Sequence, residues 1–212
     1  VWLSPQPIES SPSERKYVSA SSPNTPKPLP DLQDDASVDL TVVIPAFNEV
    51  PRLPTMFVTT MAHLDTIKNR TCEFIVVNDG STDETTKTAL GLAKQYRKRD
   101  IRVVTLRKNV GKGGAVRHGM LHGRGRRLLM VDADGASRFE DLELLWKEMD
   151  KLLGENEAAI AIGSRAHLVN TEVVVKVCYI PFCSEVNANN RPRSDPSFVT
   201  LPCTPSTQSS AS

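Results

Sequence analysis

Three short stretches of this sequence carry carboxylates where they can do chemistry. Pro45-Ala46-Phe47-Asn48-Glu49, Asn78-Asp79-Gly80-Ser81-Thr82-Asp83 and Asp132-Ala133-Asp134-Gly135 each follow an apolar run. One acidic loop says little, because Asp and Asn cap helices and build Asx-turns throughout proteins. Three in succession, the last an Asp-x-Asp behind a wholly apolar run, point to a shared site. Carboxylates held close together repel one another unless a cation lies between them. Hard oxygen ligands suit Mg2+ or Mn2+, and those ions in turn hold substrate phosphates.

Each loop needs a scaffold to aim it. Leu40–Pro45 is a short β-branched run ended by Pro and predicts a buried strand. Pro51 and Pro54 sit where a helix can begin, and Leu53, Met56, Phe57, Thr60, Met61 and Leu64 recur at helical spacing. Phe74–Val77 predicts a second strand, then a helix carrying Ala89, Leu92, Ala93 and Tyr96, capped by Thr82 or Asp83. Ile101–Leu106 predicts a third strand, and a Gly-rich turn opens a helix from Gly113 to His122. Leu128–Val131 predicts a fourth strand, Leu142–Leu153 an amphipathic helix and Ala158–Ile162 a fifth strand. Strands that alternate with helices and read as continuous apolar runs predict an α/β fold, a mostly parallel sheet with helices on both faces. Such sheets bind ligands beyond the carboxyl ends of their strands, where all three acidic loops fall.

Composition bounds the rest. Lys and Arg total 26 against 25 Asp and Glu, so a net charge of +1 gives no global sign of nucleic-acid binding. Hydrophobic residues make up 39%, low for one compact domain of 212 residues, and their distribution explains it. All 11 Gly lie between Gly80 and Gly163, whereas residues 1–38 hold seven of the 15 Pro and eight Ser. The expectation is a disordered Pro/Ser-rich head over 1–38, a folded middle over 39–180 and a disordered tail over 181–212. Val173–Val177 is a candidate strand before that tail. No apolar run reaches the ~18 residues that span a bilayer. The opening Val1-Trp2-Leu3-Ser4-Pro5 has neither the basic region nor the apolar core of a signal peptide. Cys72, Cys178, Cys183 and Cys203 form no metal-binding spacing and are expected as free thiols.

Five stretches together resemble one family. Val-Val-Ile-Pro-Ala-Phe-Asn-Glu (42–49), Val-Val-Asn-Asp-Gly-Ser-Thr-Asp (76–83), Lys-Asn-Val-Gly-Lys-Gly-Gly-Ala-Val-Arg (108–117), Asp-Ala-Asp-Gly-Ala (132–136) and Gly-Ser-Arg-Ala-His-Leu (163–168) resemble the inverting glycosyltransferases of family 2, which have the GT-A fold. The resemblance covers residues 40–168 and implies transfer of glucose from UDP-glucose to dolichyl phosphate at the endoplasmic reticulum membrane. It implies that Pro45, Phe47 and Glu49 line the nucleoside pocket, with the Phe47 ring on the uracil face. Asp79 would accept the uracil N3–H. Asn78 stands where the family usually has Asp, and an amide keeps the shape and an acceptor. Asp132 would contact ribose or metal, Asp134 would be the main ligand of Mg2+ or Mn2+ at the diphosphate, and Ala133 would lie between them. The metal would offset charge on the departing UDP. Lys112, Gly113 and the surrounding backbone would approach the nucleotide, because Gly allows close contact. Arg165 would pair with a phosphate bidentately, and Arg117 or Arg165 would hold the acceptor phosphate. A phosphate monoester, with its second pKa near ~6, is already anionic at neutral pH, so no general base is nominated.

Other features have plainer readings. Gly111-Lys112-Gly113-Gly114 fails the P-loop pattern, with Leu106 where the first Gly should be and Gly113 where Ser or Thr should be. Between Lys94 and Arg127 stand twelve Lys and Arg and one acid, Asp100. Solvated helix faces explain most such runs, and a membrane surface of anionic headgroups is the sharper alternative. His63, His118, His122 and His167 are expected to be structural. Asn69-Arg70-Thr71 fits the glycosylation pattern and is expected to go unused on a cytosol-facing domain. Past Leu168 no counterpart of the family's acceptor-side segments is expected, and no amino-terminal membrane helix is expected within the residues given. The expectations are an active transferase, a GDP-mannose-using relative of it, or a truncated non-catalytic form that binds nucleotide.

Overall fold

A computed structural model describes residues 11–31, 33–67, 69–152, 159–164 and 174–179. The chain divides into two compact units, Val1–Leu144 and Leu145–Ser212.

The first unit is built on a six-stranded sheet. Its strands are β1 (Lys16–Ser19), β2 (Ser22–Pro28), β3 (Val38–Ala46), β4 (Cys72–Asn78), β5 (Asp100–Thr105) and β6 (Gly125–Met130), in the order β2-β1-β5-β4-β3-β6. The pairs β3–β4, β4–β5 and β3–β6 are parallel, and β1 adds antiparallel to β5. The α-helices α1 (Leu53–Leu64), α2 (Thr85–Gln95) and α3 (Lys112–Leu121) connect the parallel strands. Register sorts the apolar runs into two faces. Val42 pairs with Phe74 and Phe74 with Ile101 on one face. There Phe57 of α1 lies 5.9 Å from the Phe74 ring and 6.4 Å from Tyr96 at the end of α2. Val43, Ile75, Val77 and Val104 on the other face form a core with Ala115 of α3. A Cβ on Gly119 would lie 2.4 Å from Val43 Cγ1, so only Gly lets α3 approach this closely. The α/β arrangement with helices on both faces is as expected.

The head departs from expectation. Residues 16–28 do not form a disordered linker but a hairpin at the edge of the sheet. Its composition offers little apolar area, and polar anchors hold it instead. Glu14 is buried, and its carboxylate accepts the Arg107 amide (2.9 Å) and the Ser11 amide (2.7 Å). The Glu14 carbonyl takes a hydrogen bond from His118 Nε2 at 2.9 Å, and the Pro30 carbonyl lies 2.6 Å from His122 Nδ1. A carbonyl only accepts, so each facing ring nitrogen carries its proton. The Tyr17 ring lies 4.6 Å from the Arg102 guanidinium. His118 and His122 are thus structural, as expected.

The cationic run is no uniform face. Arg102 and Arg124 converge on Glu73, which is fully buried on β4. Glu73 also accepts Thr41 Oγ1 (2.6 Å) and the Arg124 amide (2.6 Å), and Asp100 binds both arginines. Arg99 pairs with Asp65. Lys94, Arg97, Lys98, Arg107, Lys108, Arg117 and Arg126 remain exposed. Cys72 is a free, half-buried thiol whose pKa burial pushes up.

A 3₁₀ turn (Phe139–Asp141) leads into α4 (Leu142–Leu152). In the second unit β7 (Ala159–Ser164) pairs antiparallel with β8 (Val174–Tyr179) in a two-stranded sheet of its own, so the fifth predicted strand is no member of the parallel sheet. Among the described residues no helix is long and apolar enough to cross a membrane. The expected tail, His167 and Arg165 lie outside the described residues.

Two predictions follow from these polar anchors. Glu73→Ala leaves Arg102 and Arg124 with Asp100 alone and removes the acceptor of Thr41, and is expected to destabilise the chain by about 2–3 kcal/mol in urea denaturation. Burial, then the neighbouring His122, hold His118 below the ordinary histidine pKa. Burial alone would raise Glu14, but amide hydrogen bonds from Arg107 and Ser11 outweigh it and hold it below its ordinary value. Both groups are depressed in the folded state. Their stabilisation is therefore full above the unfolded pKa and lost as pH falls, first through the histidine range and then the carboxylate range. The urea midpoint is expected to drop as pH falls from about 7.5 to about 5.5, and His118→Gln should flatten that slope.

Candidate active site

The carboxyl ends of β3, β4 and β6 leave the sheet at one edge, and the chain's order reverses there: β4 flanks β3 on one side and β6 on the other. This is a topological switch point, where open α/β sheets leave a crevice. The crevice is a cleft of about 390 Å3 lined by Pro45, Ala46, Phe47, Glu49, Asp79, Asn109, Gly111, Lys112, Asp132, Ala133 and Asp134.

The β3 loop turns sharply. Asn48 has φ 57°, a left-handed conformation that Asn tolerates better than most residues. Its Oδ1 accepts the Thr82 amide and its own amide donates to Ser81 Oγ, both at 3.0 Å. The Glu49 amide donates to Thr85 Oγ1 at 2.9 Å. The first acidic loop is thereby fixed to the second. Phe47 is left 43% exposed at the mouth of the cleft. Glu49 is held by Arg52, with Oε1 2.8 Å from Nη2 and Oε2 in ionic contact with Nε at 2.6 Å.

The second loop is fixed to the β5–α3 connection. Asp79 is buried, and its Oδ1 accepts the Val110 amide at 2.8 Å. Gly80 has φ 66°, and a Cβ there would lie 2.7 Å from the backbone of Lys108 and Asn109. Asn78 does not line the cleft. Its Oδ1 accepts the Ser81 amide (3.0 Å) and its Nδ2 donates to Thr86 Oγ1 (2.5 Å), so it shapes the loop. Gly113 sits in the exposed first turn of α3, and Arg117 is exposed on that helix; neither lines the cleft.

The third loop begins where the Val131 amide donates to the Val43 carbonyl. Asp134 is exposed, and its Oδ1 accepts the Ala136 amide at 2.8 Å in an Asx-turn. Asp132 Oδ1 lies 2.5 Å from Lys112 Nζ. The cleft therefore carries four carboxylates and, among its described lining residues, one cation.

Sequence reasoning assigned no role to Asn48, Ser81, Thr85 and Asn109. Asn48 and Asn109 stand inside the quoted motifs, and the available signal was Asn before or within a turn. The Ser81 and Thr85 contacts span more than 30 residues and leave no local pattern.

Among the described residues no cluster of three or more His, Cys, Asp or Glu forms a ready-made metal cage. Asp132 and Asp134 nonetheless fit a divalent cation of the Mg2+ or Mn2+ type. Such ions are commonly held by one or two carboxylates with substrate phosphates and water completing the shell. Two hard oxygen donors in an open, acidic cleft are that donor set.

Residues 41–174 match the model of Glycosyl transferase family 2. The chain belongs to this family. The matched span takes in the Asp-x-Asp, the Gly-rich loop and the acidic β4 end, and the family agrees with the GT-A-type α/β arrangement. The chain is 46% identical over 153 residues to a dolichyl-phosphate beta-glucosyltransferase of Drosophila melanogaster, covering 70% of this chain and 47% of that protein. It is 46% identical over 145 residues to the protein of that name from Homo sapiens, covering 66% and 45%. It spans about half the length of the curated relatives it matches. Among solved structures, mannosyltransferase PcManGT from Pyrobaculum calidifontis, in complex with GDP-Man and Mn2+, gives a TM-score of 0.48 at 22% identity, over 66% of this chain and 39% of that one.

Gly80→Ala tests how the family 2 cleft is fixed. It introduces a backbone clash and strains a positive φ, and is expected to destabilise the chain by about 1–3 kcal/mol, read by thermal unfolding.

Proposed function

We propose that this chain forms the donor site of a dolichyl-phosphate β-glucosyltransferase, which moves glucose from UDP-glucose to dolichyl phosphate with inversion. The observation that carries the reading is the cleft itself. An aromatic ring, a buried carboxylate, a lysine and an Asp-x-Asp converge at the switch point of the sheet, in a chain whose similar relatives carry that enzyme's name.

The residues divide the work by their chemistry. Phe47 packs on the uracil face, with Pro45 and Ala133 as apolar walls. Asp79 keeps Oδ2 for the uracil N3–H while Oδ1 holds Val110. Glu49 is fixed by Arg52 and borders the nucleoside end. Lys112, beside Gly113 in the first turn of α3, meets the diphosphate. Asp134 and Asp132 would hold Mg2+ or Mn2+, which supplies charge stabilisation to the departing UDP. The acceptor phosphate is an anion at neutral pH and attacks the anomeric carbon from the side opposite UDP. That attack inverts the centre and needs no general base. Arg117 and Arg165 are the side chains assigned to the acceptor phosphate. The donor-binding domain proposed over 39–180 takes in the parallel strands of the first unit, and the head hairpin pairs with β5 of the same sheet. Exposed Arg107 and Lys108, which follow the carboxyl end of β5 on the cleft side, are the cations of the run assigned to anionic headgroups at the cytosolic side of the endoplasmic reticulum membrane.

Calorimetric titration of the whole chain with UDP, with and without Mn2+, tests the donor site. Binding that needs the metal, favours UDP over GDP and disappears in Asp134→Ala is expected. Absence of UDP binding by the folded chain would remove the proposal, and tighter binding of GDP would redirect it to a mannosyl donor.

A further inference from the structure

Lys112 differs from the other charged groups of the cleft. Glu49 is fixed by Arg52, Asp79 is buried against the Val110 amide, and Asp134 is turned onto its own loop. Asp132 is held across the cleft by the flexible Lys112 ammonium at 2.5 Å, and the two side chains are 58% and 32% exposed. This pair joins two side chains of the cleft lining and can exchange partners without disturbing the fold. A compact ammonium on a four-carbon stem is suited to such exchange. It also stands where a divalent cation would compete with it for the same carboxylate.

Resting on the donor-site reading above, we propose that Lys112 is a displaceable internal counter-ion. It occupies Asp132 until a nucleoside diphosphate arrives, so that metal and nucleotide bind as a unit. A free metal ion must expel the ammonium from Asp132 and break that ion pair. When the diphosphate enters, its oxygens offer Lys112 a second partner, and Asp132 is released to the metal. The lysine thus sets an order of occupancy and lowers the affinity of the empty cleft for metal alone. Linkage makes the effect reciprocal, so metal must tighten nucleotide by the same factor.

The test reads Mn2+ binding to the whole chain by electron paramagnetic resonance, with and without UDP. Three forms are compared: wild type, Lys112→Met and Lys112→Arg. In the wild type, UDP is expected to tighten Mn2+ by about tenfold or more. Lys112→Met should bind Mn2+ several-fold tighter than wild type when UDP is absent, with the effect of UDP correspondingly reduced. Lys112→Arg keeps the charge and should retain the wild-type pattern. Equal Mn2+ affinity of wild type and Lys112→Met without UDP, in chains that still bind UDP with Mn2+, overturns the counter-ion role alone. A wild-type chain that binds no UDP at any Mn2+ concentration overturns the donor-site reading, and the counter-ion role with it.

Discussion

A parallel strand pair sends both carboxyl ends to the same edge of a sheet, and β3 is paired that way on both flanks. The Ala46–Asn78 end of the β3–β4 register and the Val43–Met130 end of the β3–β6 register bring three loops to one crevice. The loops then hold each other. Asn48 fastens the first to the second, and Asp79 with Gly80 fastens the second to the β5–α3 connection. The side chains of the cleft inherit their positions from these backbone ties.

The two ends of the strands treat charge in opposite ways. At the amino ends, Glu73 is enclosed by Arg102, Arg124 and Thr41, and Asp100 supplies the second carboxylate for two guanidinium groups. Buried ions survive there because their partners and hydrogen bonds are complete. At the carboxyl ends, four carboxylates line an open cleft, with Arg52 on Glu49 and Lys112 on Asp132. The first arrangement is closed to ligands and specifies packing. The second is open, and its partly exposed Asp132 and exposed Asp134 stay within reach of a ligand.

Much of this was legible from the residues. Continuous apolar runs such as Val42–Ile44 and Phe74–Val77 mark strands covered on both faces, and the acidic residues behind them mark the ligand edge. The head was not legible, because Ser and Pro composition speaks only of apolar burial. Glu14 finds its partners at Arg107 and His118, about ninety and a hundred residues away, and no local pattern records such bonds. The partners of Asn78 were hidden for a similar reason. Its position in the motif suggested a ligand contact, but Thr86 and Ser81 take up its amide. Ala158–Ile162 has the composition of a central strand, and only its antiparallel register with Val174–Tyr179 distinguishes it.

The outermost strand of the head has a consequence for solubility. β2 reads Ser-Pro-Asn-Thr-Pro-Lys-Pro, so three of its seven residues have no amide hydrogen to offer. An incoming strand finds a broken row of donors, and the sheet is blunted on that side. Among the described residues, β6 forms the opposite rim, with Leu128 and Met130 exposed. A sheet that accepts new strands from one rim only stops growing after a single encounter. The prolines of β2 therefore bar open-ended stacking from the β2 rim, the kind from which fibres are made.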